Sequence, residues 1–268
     1  MRTFKLTIAY DGTHYAGWQR QANALSIQQI LEEEIDAIVG AHHPLNAAGR
    51  TDAGVHAAAQ VASISFDHEI AIEDLQRALN ARLKARNAGD ILIRAIEEMP
   101  DRWDARIFSK SKTYRYAIWN GSLPSPFFRH VVWHVPMPLD LDRMQRATAP
   151  LIGEHDFVAF KGRGTDVQTT VRTVLSAQIN AIDLGTDQPV ALSPLDSLPD
   201  DRGRLLRLEI SGTGFLRHMV RTIAGTLVDI GRGNMEVDDM RAILEKGERA
   251  MTGQTAPPQG LMLWKVHY

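Results

Sequence analysis

"RTFKLTIAYDGTHYAGWQRQANALSIQQILEEEIDAIVG", residues 2–40, changes its hydrophobic period once, and that change decides the fold class. At its start Phe4, Leu6, Ile8 and Tyr10 alternate with Lys5, Thr7 and Ala9, the period of two expected of a strand with one buried face, ending at Asp11-Gly12. Beyond a loop, Ser26 stands as an N-cap with Gln29 in the capping-box position. Ile27, Ile30, Leu31, Ile35 and Ile38 then share one helical face, and Gly40 stops the helix.

The same switching continues along the chain. "QVASISFD" and "DILIRAIEEM" read as strands flanking the helix "IEDLQRALNARLKAR", so the first part is roughly βαβαβ. Periodicity lapses in "PDRWDARIFSKS". A second set follows: the strand "KTYRYAIWN", the helix "LDLDRMQRATAPLIG" ended or kinked by Pro150, and the strands "VRTVLSAQINAI" and "RLLRLEISG". A long helix, "FLRHMVRTIAGTLVDIG", is striped by Leu216, Met219, Val220, Ile223, Leu227 and Ile230, and a short helix around 240–244 precedes a last strand, "GLMLWKVHY". The expected class is α+β. Two similar α/β subdomains, 1–105 and 106–268, carry antiparallel sheets covered by helices, with an active-site cleft between them. "LGTDQPVALSPLDSLPDDRGR" has no period and reads as a loop insertion near 185–204 in the second domain.

Composition narrows the chemistry. With 268 residues, 44% hydrophobic and 23% charged, the chain builds a core without disulfides or metals and is neither disordered nor fibrous. It contains no cysteine, which removes disulfides, thiolate metal sites, iron–sulfur clusters and thiol nucleophiles. No apolar run reaches membrane length, so a soluble, untargeted, cytoplasmic protein with no membrane partner is expected. A net charge of -2 means that nucleic acid would have to be met by local patches of cations. His42 and His43 precede Pro44 without the further ligands a metal site needs.

"GRTDAG", residues 49–54, puts glycines on both sides of Asp52 in a loop that enters a strand. Either Asp52 only closes an Asx-turn with Arg50 as a surface partner, or Arg50 keeps it ionised while the glycines let a bulky ligand approach. A carboxylate can attack an anomeric carbon, and with no second acid in the motif the chemistry suits a leaving group that stays bound and an acceptor other than water. "DGTHYAGWQRQ", residues 11–21, offers aromatics and Arg20 for bases and phosphates, or a Trp18 that plugs the core. Tyr114 and Tyr116 share one face of their strand opposite Arg115, with Lys110 and Lys112 leading in; the pair is either core or a ring for a flipped base. Arg217, His218 and Arg221 lie opposite the apolar stripe, as a solvated face or as a site for an anion.

"YDGTHYAGWQRQ", "GRTDAGVHA", "KTYRYAIWN", "TTVRTV", "GFLRHMVR" and "GLMLWKVHY", collinear from about residue 4 to the C-terminus, resemble the TruA-type tRNA pseudouridine synthase A family. The resemblance implies an isomerase that converts uridine to pseudouridine at positions 38, 39 and 40 of the tRNA anticodon stem-loop. It also implies a homodimer of two-domain α+β subunits and no metal or organic cofactor. Asp52 matches the catalytic aspartate and Arg50 the arginine that pairs with it. Tyr114 matches the tyrosine that stacks on the target base, Arg221 an arginine near the aspartate, and Arg20 lies in the RNA-contacting loop. Lys110, Lys112 and Arg217 join Arg20 as the local cations for phosphates. Attack at the anomeric carbon and formation of a glycal both remain open. The rival readings are a non-catalytic RNA-binding or RNA-folding module and a glycosidase or nucleoside hydrolase, the last needing a second carboxylate near Asp52.

Overall fold

Phe4, Leu6, Ile8 and Tyr10 are all buried on the inner face of the first strand. A computed structural model describes residues 1–87, 89–164, 167–182 and 203–268. In chain order the elements are β1 (Arg2–Tyr10), α1 (Ile27–Val39), β2 (Asn46–Ala47), β3 (His56–Phe66), α2 (Ile72–Asn87), β4 (Ile91–Met99) and β5 (Ser111–Asn120). They continue with β6 (Trp133–Val135), α3 (Leu141–Thr148), β7 (Gly153–Asp156), β8 (Val171–Ile182), β9 (Arg204–Gly212), α4 (Met219–Gly231), α5 (Asp239–Lys246) and β10 (Leu261–His267). The expected insertion, 185–204, lies almost entirely outside the described residues; its last two residues, Gly203 and Arg204, lead into β9.

The chain forms two compact units, Met1–Thr113 with Met262–Tyr268, and Tyr114–Leu261. In the first, strands run in the order β4-β1-β3-β10, with β2 also on β3. β1 is antiparallel to both β3 and β4, whereas β10 lies parallel to β3 through Met262↔His56 and Leu263↔Ala57. That parallel pairing takes the last strand out of the 106–268 domain expected from sequence and into the first unit. Helix α1 buries Ile27, Ile30, Leu31 and Ile35, each worth roughly 1.5–3 kcal/mol; Ser26 caps it by accepting the Gln29 N–H and Gly40 ends it at φ 83°, as read, while the Gln29 side chain bonds Glu33 at 2.9 Å instead of closing a capping box. Phe4 stacks on Phe66 with ring centroids 4.7 Å apart.

In the second unit the order is β5-β9-β8-β7, with β6 on β5. β8 is antiparallel to β7 and β9, and β6 is parallel to β5, so each unit combines antiparallel pairs with a short parallel ladder. α3 ends in a 3-10 turn at Ala149–Leu151 around Pro150, as the sequence suggested, and packs on α4. The expected helix from Phe215 starts late: α4 begins at Met219, because His218 sits at φ 65°. The Arg217 carbonyl turns aside to accept the Gly162 N–H at 2.8 Å. Leu216 is still buried, so the apolar stripe survives although its first residue precedes the helix.

Candidate active site

The Asp52 loop is held from three sides within the first unit. From the β1 end, the Tyr10 hydroxyl bonds the Thr51 hydroxyl at 2.7 Å. From β3, the buried Gln60 amide donates to the Gly49 carbonyl at 2.8 Å and reaches the Tyr10 hydroxyl at 3.4 Å. Burial pushes Tyr10 up to about 12 against these hydrogen bonds, so it stays a neutral phenol able to serve the network. The third side is the 11–18 segment. The Trp18 N–H donates to the Thr51 carbonyl at 3.0 Å, and the Gly54 N–H to the Tyr15 carbonyl at 3.3 Å.

The glycines serve this clasp. Gly17 lies at φ 93°, and a Cβ there would stand 2.5 Å from the Thr51 carbonyl oxygen; one at Gly12 would overlap the Val55 carbonyl. Gly54 at φ 74° is the third residue of a tight turn closed by the Val55 N–H on the Asp52 carbonyl at 3.1 Å. Opposite the open side of Gly49 lies the Lys112 stem, with Cε 3.1 Å from where a Cβ would be. Gly54 is therefore required by turn geometry and Gly12 and Gly17 by close backbone approach, while a Cβ at Gly49 would meet only the Lys112 stem. His56, buried at the start of β3, accepts the Gly12 N–H on Nδ1 at 3.1 Å and lies 3.1 Å from the Asp11 carboxylate.

Of the residues named from sequence, Asp52 is half-buried in this clasped loop. Arg50 is exposed and enters none of the ion pairs among the described residues, so its pairing with Asp52 is not a contact made there. Trp18 is 1% exposed and Tyr15 5%, which makes the 11–21 loop a brace rather than a stacking surface. Arg20 spends its guanidinium on the buried Glu32 at 3.1 Å and on Glu33 at 3.8 Å, tying the loop to α1. Lys112 donates to the Ser109 hydroxyl at 3.1 Å, and burial, with the charge of Arg106, lowers its proton affinity below that of a solvated lysine. Lys110 is exposed, with its backbone N–H on the His267 carbonyl at 2.8 Å. His42 bonds Asp36 at 2.8 Å, and no cluster of metal-binding side chains occurs among the described residues.

In the second unit Tyr114 is 8% exposed, edge-on to Phe215 with centroids 5.1 Å apart. Tyr116 is core: its hydroxyl donates to the Pro257 carbonyl at 2.7 Å, and burial raises its pKa against the charge of Arg221. Arg221 is half-buried on the first turn of α4, and its Nε donates to the Ala256 carbonyl at 2.7 Å. Arg217 is exposed ahead of the helix. Sequence reasoning passed over Tyr10, Thr51, Gln60 and His56 as supports of the loop. The signal available was "VHAAAQ", whose His56 and Gln60 are polar residues at strand positions that prove buried.

A family model described as tRNA pseudouridine synthase matches residues 6–106 and 147–268. A protein of Citrifermentans bemidjiense named tRNA pseudouridine synthase A is 39% identical, covering 100% of this chain and 98% of its own length. Proteins of the same name from Geotalea uraniireducens and Acetivibrio thermocellus are 40% and 38% identical, with complete coverage of both chains.

Proposed function

Because this chain belongs to the tRNA pseudouridine synthase family, we propose that it isomerises uridine to pseudouridine in tRNA, at positions 38, 39 and 40 of the anticodon stem-loop. The observation that carries the reading is the clasp: Asp52 stands half-buried on a loop whose preceding carbonyls and hydroxyl are fixed by Gln60, Trp18 and Tyr10. A reacting group so held is pre-positioned, which is worth far more to a rate than raw reactivity. The uridine leaves its stack at a cost of roughly a few kcal/mol and brings its ribose to Asp52.

The carboxylate then acts at the sugar. Either it attacks C1′, the N1–C1′ bond breaks, and an ester holds the ribose until C5 of the rotated uracil displaces it. Or it takes the C2′ proton as N1 departs, and returns that proton when C5 adds to the resulting glycal. In both routes the C5–C1′ bond forms, the C5 proton is lost and N1 gains one, so no electrons are exchanged and no cofactor is called for. Tyr114 stacks on the base, Arg221 lies beside the reacting groups, and Lys110, Lys112 and Arg217 meet phosphates, while Arg20 acts through the loop that it ties to α1. A homodimer working in the cytoplasm completes the reading.

Transcribed tRNA carrying tritium at C5 of uridine tests it. The expected result is tritium release matched by pseudouridine in a nuclease digest. Free uracil would overturn it in favour of a nucleoside hydrolase, and tight binding with neither product would leave an RNA-binding module.

A further inference from the structure

An open depression of about 650 Å³ on the second unit is lined by Lys161, Arg163, His218 and Arg249, with Thr252 and Gln254 among its other walls. None of the described residues lining it is acidic, and the ring among them is the imidazole of His218. We propose that this depression is a phosphate cradle that seats the sugar-phosphate backbone of the tRNA substrate. The proposal rests on the tRNA-directed function above.

The cations here are held together by the fold. Arg249 donates to the Thr252 hydroxyl, to the Gly253 carbonyl at 3.2 Å and to the Thr255 hydroxyl at 3.0 Å, so its guanidinium is fixed in one orientation. Those bonds use Nη1 and Nη2 and leave Nε–H for a ligand. Burial and the like charge of Arg163 both lower the proton affinity of Arg249, as expected of guanidinium groups held near one another. An oxyanion relieves that repulsion, and a planar guanidinium fork suits phosphate. His218 is wedged over the floor, since a Cβ on Gly162 would stand 2.8 Å from its Nδ1. Its φ of 65° keeps the ring at this rim and puts the positive end of α4 beside the same space.

The lining selects the backbone over the base. Apart from the His218 imidazole the described lining offers no ring to stack on, while its hydroxyl, amide and cationic groups match phosphate oxygens and ribose hydroxyls. The wall also reaches Arg221 within the second unit. Thr255 bonds Arg249, and the next residue, Ala256, donates its N–H to the Arg221 carbonyl at 3.1 Å and accepts from Arg221 Nε at 2.7 Å. A phosphate seated here sets the register of the RNA against Arg221.

The test compares K161Q/R163Q with a control pair on α5, R241Q/K246Q, which removes two exposed cations elsewhere. Arg249 stays in place in both because it holds the 252–255 segment. Full-length tRNA affinity is measured across a salt series, with a melting curve for each variant. The cradle variant should bind about 10-fold to 100-fold more weakly at moderate salt, with the slope of log affinity against log salt reduced by about 1–2. The control should keep the wild-type slope. As a second variant, R249K keeps the charge but removes the fork and part of the hold on 252–255, and should weaken tRNA binding by a smaller factor with a melting temperature lowered by only a few degrees. Unchanged affinity and slope in a folded cradle variant would overturn the proposal. So would an equal loss in the control, or inorganic phosphate binding that the cradle variant abolishes while tRNA affinity stays intact. Wild-type protein that failed to release tritium would overturn the isomerase reading instead, and the salt slope would still decide the cradle.

Discussion

Replacing Gly17 with alanine attacks the Asp52 loop without touching any side chain in it. The new Cβ would lie 2.5 Å from the Thr51 carbonyl oxygen, about 0.9 Å inside ordinary contact, and both atoms belong to backbone. The φ of 93° adds strain of roughly 1–2 kcal/mol for any residue with a Cβ. Overpacking costs about 1–3 kcal/mol more, so the whole change should lower stability by about 2–5 kcal/mol, or roughly 4–20 °C in melting temperature. The clash is relieved only by moving the residue that precedes Asp52, and a displacement near 1 Å at reacting atoms costs about 100-fold in rate. Gly40→Ala is the matched control: φ is 83°, yet nothing lies within 4 Å of the new Cβ, so it carries the strain alone. Single-turnover tritium release on folded protein at 25 °C should therefore fall about 100-fold in Gly17→Ala and stay near wild type in Gly40→Ala. Equal rates in the two variants would refute the claim that the 11–18 segment sets the position of Asp52.

Tyr10 is pushed up to about 12 from 10.0, so between those values the folded state keeps a proton that the unfolded chain has lost. Stability is present below pH 10 and declines as pH rises toward 12; Tyr10→Phe should flatten that decline in urea titrations by up to ~1.4 kcal/mol per pH unit, and an unchanged decline would contradict the buried network. Ile182 and Leu205 are already partners across β8 and β9, so replacing 186–202 by a short turn should leave tritium release within about threefold of wild type, whereas its loss in a folded variant would give that segment a role in the reaction. Gln60→Leu leaves the half-buried Gly49 carbonyl without its donor and should lower unfolding free energy by about 1–3 kcal/mol, measured by urea denaturation; a neutral result would remove Gln60 from the support of the loop.

What could be read from sequence follows from where the physical cause resides. β1 and α1 were legible because a single buried face imposes its period on consecutive residues, and Ser26 and Gly40 punctuate the helix locally. The start of α4 was not, since nothing in "FLRHMVR" signals a break; the cause is Gly162, distant in sequence, which takes the Arg217 carbonyl. The parallel pairing of β10 with β3 likewise leaves no period in either strand. At the site, Gly49 and Gly54 around an aspartate announced a special loop, but the clasp on that loop depends on Gly12 and Gly17 facing Val55 and Thr51 across a gap that spacing does not encode. Arg20 read as a free cation because its partners, Glu32 and Glu33, lie beyond a loop and on another element.

The central claim is that the Asp52 carboxylate performs the isomerisation. Asparagine in its place keeps the size and can still accept hydrogen bonds, yet can neither attack C1′ nor take a proton at neutral pH. Tritium release by Asp52→Asn under single-turnover conditions should fall to background, with tRNA affinity within about tenfold of wild type, ~1.4 kcal/mol, and an unchanged melting temperature. Release above a few per cent of the wild-type rate would contradict the account, and so would a collapsed melting temperature, which would reduce Asp52 to a turn residue.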